Sequence, residues 1–77
     1  MNTNNIELIL KSSIVEVVPE LSLSEVSLES NLRALGANSI DRAEIIMLTM
    51  SKLKLNIPLI EFSKANNIGE LIKIFKS

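Results

Sequence analysis

Leu35-Gly36-Ala37-Asn38-Ser39-Ile40-Asp41-Arg42-Ala43-Glu44-Ile45-Ile46-Met47 reads as a sharp turn running directly into a capped helix. Glycine tolerates the positive φ that a tight turn asks for, and asparagine is a strong N-cap because its side chain accepts a hydrogen bond from a first-turn N–H. From Ile40 to Leu55 the apolar residues recur with helical period, which makes Ile45, Ile46, Leu48, Thr49 and Leu53 available for a core. Asn56-Ile57-Pro58 is expected to stop this helix, since proline disfavours helical geometry in the residue before it.

Upstream of that stretch, Ile6, Ile9, Leu10, Ile14, Val17 and Val18 fall at three- and four-residue steps and predict a first amphipathic helix. Asn4 or Asn5 is placed to cap it, and Pro19 stands where the pattern ends. Between the two helices, Glu20 to Gly36 carries serines and the isolated leucines Leu21, Leu23, Leu28, Leu32 and Leu35, and reads as a long loop. Such a loop is uncommon in a small domain unless it packs or functions. Downstream, Ile60-Glu61-Phe62-Ser63-Lys64 is long enough only for a turn or short helix. Asn67 and Glu70 have capping-box spacing, and Ile68, Leu71, Ile72 and Phe75 form the stripe of a last helix. The expected fold is all-α, a small bundle of three main helices, one short helix and a long first loop, in one domain over residues 1–77.

With 77 residues the chain has a thin stability margin and little room for a catalytic cleft with its own supporting shell. Its 47% hydrophobic content includes two Phe and no Tyr or Trp, so Ile, Leu, Val and Met must build the core. There is no cysteine, which excludes disulfides, thiolate metal sites and a thiol nucleophile and is compatible with a cytoplasmic location. The absence of histidine removes the usual general base near neutral pH and the commonest metal ligand, and argues against an enzyme and against a metal site. Met1-Asn2-Thr3-Asn4-Asn5 does not read as the start of a signal peptide, and the apolar runs are too short to span a bilayer, so no membrane partner is expected. Residues 1–30 hold five Glu against Lys11, a balance of −4, and residues 31–77 hold seven bases against four acids, a balance of +3. The bases are scattered and have no aromatic residues between them, so nucleic-acid binding is not suggested.

The run Leu35-Gly36-Ala37-Asn38-Ser39-Ile40-Asp41 resembles the attachment motif of acyl carrier proteins, Leu-Gly-x-Asp-Ser-Leu/Ile followed by an acidic or polar residue. Ala43-Glu44-Ile45-Ile46-Met47, Leu55-Asn56-Ile57-Pro58 and Asn67-Ile68-Gly69-Glu70-Leu71 follow at the spacings that family shows, so the resemblance spans the chain. It implies that Ser39 bears 4′-phosphopantetheine, moved from coenzyme A by a phosphopantetheinyl transferase, with an acyl group riding on the arm as a thioester. An isolated Asn-Ser before a helix is usually no more than a cap; the matched register favours attachment. The family's usual Asp is Asn38 here, as good a cap but without the negative charge beside the attachment site.

Carriers of primary fatty-acid synthesis resemble one another in a strongly acidic second helix, whereas residues 39–54 here set Asp41 and Glu44 against Arg42, Lys52 and Lys54, a balance of +1. The run from Asp41 to Met47, with Met50, Leu53, Leu55 to Glu61 and Asn67 to Leu71, resembles a narrower group, the discrete donor carriers of polyketide β-branching cassettes. That resemblance implies a monomeric carrier of an acetyl group, supplied through an acyltransferase and a decarboxylating ketosynthase-like enzyme and delivered to a hydroxymethylglutaryl synthase homologue. The expected partner surface is Ile40, Asp41, Ala43, Glu44, Met47 and Met50. The two acids also suit the positive end of the helix dipole, a role that coexists with steering a partner. Met47 and Met50, three apart, can share a flexible apolar patch or both be core; Ile45, Ile46 and Thr49 can supply the core without them. Arg42 reads as solvated. A general fatty-acid, aryl or peptidyl carrier is the alternative, and beyond it an unmodified helical interaction domain.

Overall fold

A computed structural model describes residues 3–76, with side chains from Asn5 to Lys76. The chain forms helix α1 (Thr3–Val17), a 3₁₀ turn η1 (Leu23–Glu25), helix α2 (Ser39–Leu53), a 3₁₀ helix η2 (Leu59–Lys64) and helix α3 (Ile68–Lys76), with no strand among the described residues.

The four-residue repeat of α1 does what its spacing demands. Ile6, Leu10 and Ile14, with Val18 just beyond the helix, are buried, while Ile9 and Val17 pack partly against the same core. The helix already runs at Thr3, so Asn4 and Asn5 lie within its first turn rather than at its cap, which falls outside the described residues. It ends where Val18, restricted by Pro19, donates its N–H to the Ile14 carbonyl at 2.8 Å. Facing it, α2 buries Ile45, Ile46, Thr49, Met50 and Leu53. Two hydroxyls lie inside, Ser13 on α1 and Thr49 on α2, and each donates to the carbonyl four residues back in its own helix, to Ile9 at 2.9 Å and to Ile45 at 2.8 Å. Neither is left with an unmet hydrogen bond. On the outside, Lys52 of α2 pairs with Glu16 of α1, joining the base-rich and acid-rich parts of the chain.

Helix α2 stops at Leu53, two residues short of the expected Leu55. Lys54 takes a left-handed conformation (φ 58°), and the Leu55 N–H returns to the Met50 carbonyl at 2.9 Å. This is the six-to-one bond of a Schellman motif, with lysine in the place glycine usually holds. Pro58 therefore opens η2 and does not end α2. The backbone then folds back over the last turn of α2, and the Ile57 N–H donates to the Met50 thioether sulfur at 3.4 Å. The η2 segment lays Phe62 against Phe75 of α3, ring centroids 4.9 Å apart and tilted by 45°.

The residues from 20 to 36 follow a fixed course. Ser22 donates its N–H to Glu25 Oε1 at 2.9 Å and thereby holds η1. Val26 and Leu32 are buried, whereas Leu23 and Leu28 are exposed and Leu21 and Leu35 pack only partly on the core. The carbonyls of Ser30 and Leu28 accept the N–H groups of Ile68 and Gly69, at 2.9 and 2.8 Å, and Asn31 Nδ2 donates to the Asn66 carbonyl at 2.9 Å. Two N–H groups that a helix start leaves without partners in α3 are thus met by the loop. Asn67 caps α3 through Oδ1 to the Glu70 N–H at 2.9 Å, but Glu70 reaches back to the Asn66 N–H at 2.9 Å, one residue before the expected capping-box partner.

Candidate functional site at the start of α2

The turn before α2 is set by its own backbone. Leu35 donates to the Asn31 and Leu32 carbonyls, Gly36 to Arg33, and Ala37 to Leu32, at 3.1 to 3.2 Å. Gly36 carries φ +98°, a conformation that a side chain rarely adopts. Ala37 is buried and anchors the turn, so that Asn38 and Ser39 emerge exposed. Asn38 caps as expected: Oδ1 accepts the Asp41 N–H at 2.8 Å, and its carbonyl accepts the Arg42 N–H at 2.9 Å. The N–H groups of Ser39 and Ile40, the first two of the helix, have no intrahelical acceptor. An exposed hydroxyl therefore stands at the positive end of the α2 dipole, beside two free donors.

Ser39 lines a depression of about 480 Å³ between the start of α2, the 31–33 turn, η2 and α3. Arg42, one helical turn further on, lines it too. The expectation of a solvated Arg42 is corrected here: the side chain is half-buried, and its Nε is inaccessible and without a hydrogen-bond partner among the described residues. The depression it lines is also walled by Leu32 of the preceding turn and by Leu59 and Phe62 of η2, neighbours that the periodicity of α2 does not show.

The expected partner residues divide. Ile40 (76% exposed), Glu44 and Met47 (51% exposed) lie on the outer face of α2, with Asp41 and Ala43 half-buried beside them. Met50, at 9% exposure, does not share that face. It is a core residue, covered by the 55–58 connection that bonds to its sulfur, and its expected place in a docking patch is withdrawn. Two apolar residues absent from the expected partner set are exposed on η2, Leu59 at 44% and Ile60 at 73%. Their signal in the sequence is the pair of bulky apolar residues immediately after Pro58, in a segment too short to bury both.

A family profile described as "Phosphopantetheine attachment site" matches residues 10–75. The polyketide biosynthesis acyl-carrier-protein AcpK of Bacillus subtilis (strain 168) is 45% identical over 74 residues, covering 96% of this chain and 90% of that protein. The chain belongs to the acyl carrier protein family. Like other members it carries 4′-phosphopantetheine covalently and presents an acyl group to other enzymes without catalysing a reaction itself. Among solved structures it resembles a chain of the curacin biosynthetic pathway HMG synthase in complex with acetyl donor-ACP, with a TM-score of 0.88 and 44% identity, covering 97% of this chain and 96% of that one. The residues present fit the arm: an exposed hydroxyl at a capped helix start stands beside two backbone N–H groups without intrahelical acceptors, and the residue that bears it lines the depression. No described helix is long and apolar enough to cross a membrane.

Proposed function

We propose that this carrier acts in polyketide biosynthesis, holds an acetyl group as a phosphopantetheine thioester on Ser39, and donates it to a hydroxymethylglutaryl synthase homologue during β-branching. The observation that carries the reading is the likeness over nearly the whole chain to an acetyl donor-ACP bound to HMG synthase. Ser39 is the attachment residue because it places an exposed hydroxyl at the capped start of α2, within the matched register. A phosphopantetheinyl transferase installs the arm from coenzyme A. An acyltransferase and a decarboxylating ketosynthase-like enzyme supply the acetyl group.

The docking chemistry follows from the outer face of α2. Where a strongly acidic helix would meet a basic partner, this one offers Ile40, Ala43 and Met47 with only Asp41 and Glu44 as acids. Apolar contact then contributes much of the affinity, and the two carboxylates orient the encounter.

The test is direct. Incubation with coenzyme A, Mg²⁺ and a broad-specificity phosphopantetheinyl transferase adds one phosphopantetheine by intact mass, and Ser39→Ala abolishes the addition while helical content is unchanged. Modification that persists in the Ser39→Ala protein defeats the assignment. The acetyl-loaded protein then acetylates the hydroxymethylglutaryl synthase homologue of its own cluster, followed by mass of the acyl-enzyme. Failure to transfer acetyl, with efficient transfer of a longer or aromatic acyl group to another enzyme, makes it a carrier of a different kind.

A further inference from the structure

We propose that Asn31 is a positioning residue for arm attachment: its side-chain amide ties the turn that delivers Ser39 to the start of α3 and so fixes the hydroxyl for attack. The inference rests on Ser39 being the attachment residue.

Asn31 is exposed, yet both ends of its amide are engaged. Oδ1 accepts the Arg33 N–H at 2.8 Å, and Nδ2 donates to the Asn66 carbonyl, just ahead of α3, at 2.9 Å. An N–H on one side and a carbonyl on the other leave the amide a single orientation. From Asn31 a run of hydrogen bonds leads toward the attachment residue. Its carbonyl and that of Leu32 accept the Leu35 N–H, Leu32 also accepts from Ala37, and Arg33 accepts from Gly36, at 3.1 to 3.2 Å. Asn38 and Ser39 follow directly. Asn38 meets the N–H groups of Asp41 and Arg42, whereas those of Ser39 and Ile40 have no intrahelical acceptor, so the turn before α2 sets where its first residues lie. Leu32 and Ala37 are buried and hold the turn to the core, but apolar burial is non-directional. The Asn31 amide supplies the direction. Attachment needs it, because the Ser39 oxygen must bond to the phosphorus that carries pantetheine while the bond from that phosphorus to adenosine 3′,5′-bisphosphate breaks and the hydroxyl proton passes to a base of the transferase. Attacking and leaving oxygens stand in line in such a transfer, and its catalysis is largely positioning.

The experiment measures the maximal rate of arm transfer and the KM for the full-length apo carrier, with coenzyme A, Mg²⁺ and a broad-specificity phosphopantetheinyl transferase. It is run where circular dichroism shows every variant folded, with backbone amide order parameters measured beside it. Asn31→Ala lowers the maximal rate about three- to tenfold, the range that one hydrogen bond commands, and leaves KM within about twofold because the outer face of α2 is intact. The order parameters of Gly36, Ala37 and Ser39 fall from about 0.85 to below about 0.6, while residues 45–53 keep theirs. Asn31→Ser keeps a short acceptor for the Arg33 N–H but does not reach Asn66, and behaves like Asn31→Ala; it carries the test should Asn31→Ala fail to fold. Ser30→Ala breaks another side-chain bond of the same loop, from the Ser27 N–H to Ser30 Oγ at 3.0 Å, and leaves rate and order parameters as they were. The positioning role is overturned by an Asn31→Ser protein indistinguishable from the unsubstituted one, by order parameters unchanged in both Asn31 variants, or by equal effects of Ser30→Ala and Asn31→Ala. A raised KM at an unchanged maximal rate likewise overturns it and makes Asn31 a contact for the transferase. An unsubstituted protein that acquires no arm, or acquires it elsewhere than Ser39, defeats instead the attachment reading on which the inference depends.

Discussion

Gly36 and Asn38 show how little sequence is needed to aim a serine. Gly36 has φ +98° and nothing within 4 Å of where a Cβ would stand, so Gly36→Ala meets no neighbour and its cost is purely that of the backbone. A left-handed alanine costs roughly 1–2 kcal/mol, and for a domain of this size each kcal/mol moves the melting temperature by about 4–8 °C. Gly36→Ala is therefore expected to melt about 4–16 °C lower and to take up phosphopantetheine more slowly, as Asn38 and Ser39 lose their fixed position; thermal melting beside the modification rate checks it. Asn38 separates geometry from charge. Asn38→Ala removes the 2.8 Å bond to the Asp41 N–H and should cost about 1 kcal/mol. Asn38→Asp keeps that bond, adds a dipole interaction of about 0.3–1 kcal/mol at most, and should raise the modification rate by a transferase with a basic docking surface. An Asn38→Asp protein modified no faster shows that the missing charge is without effect there.

Helix α2 presents two methionines three residues apart that the fold treats in opposite ways. Met47 is half-exposed on the outer face, so Met47→Glu should change stability by no more than about 0.5 kcal/mol. It should still slow acetyl transfer to the synthase, because the new carboxylate would lose water at an apolar contact. Met50 is buried and its sulfur accepts the Ile57 N–H. Met50→Glu puts a carboxylate in the core, and loss of helical content or a melting temperature about 10 °C lower or worse is expected. Circular dichroism melting beside transfer rate for the two variants decides it, and equal melting of both would contradict the division. The sequence could not make that division. Helical period places Met50 between buried and exposed positions, and what covers it is the 55–58 connection, whose return depends on a left-handed Lys54. The attachment turn, by contrast, was legible residue by residue, because Gly36, Asn38 and Ser39 act through bonds and angles of their own backbone. The surroundings of Arg42 were not, since the depression it lines is walled by the 31–33 turn and η2, which the period of α2 does not show.

The three helices were legible because each buries a stripe that repeats in the chain, Ile6-Leu10-Ile14, Ile45-Thr49-Leu53 and Ile68-Leu71-Ile72-Phe75. The course of residues 20–36 was not, for the opposite reason: it has no period, and it is fixed by hydrogen bonds to a helix start more than thirty residues away, from Ile68 to Ser30 and from Gly69 to Leu28. Those bonds make the loop and α3 one mechanical unit. Opening the loop would strand two N–H groups of α3 and withdraw Val26 and Leu32 from the core, so the loop should not fray as an ordinary surface segment does. Amide hydrogen exchange tests this: the Ile68 and Gly69 amides are expected to exchange only with the opening of α3 and Val26, with protection well above that of the exposed turns. Gly69 supplies the perturbation. A Cβ there would stand 3.4 Å from the Leu28 carbonyl oxygen, an ordinary contact, so Gly69→Ala fits and gains up to about 1 kcal/mol of helix propensity. The branched side chain of Gly69→Val reaches further and presses on Leu28, so it should lower the protection of both amides and of Val26 together while α1 and the first turns of α2 keep theirs. Exchange at Ile68 and Gly69 as fast as in the exposed turns of the unsubstituted protein, or a Gly69→Val effect confined to residue 69, would show that loop and helix open independently.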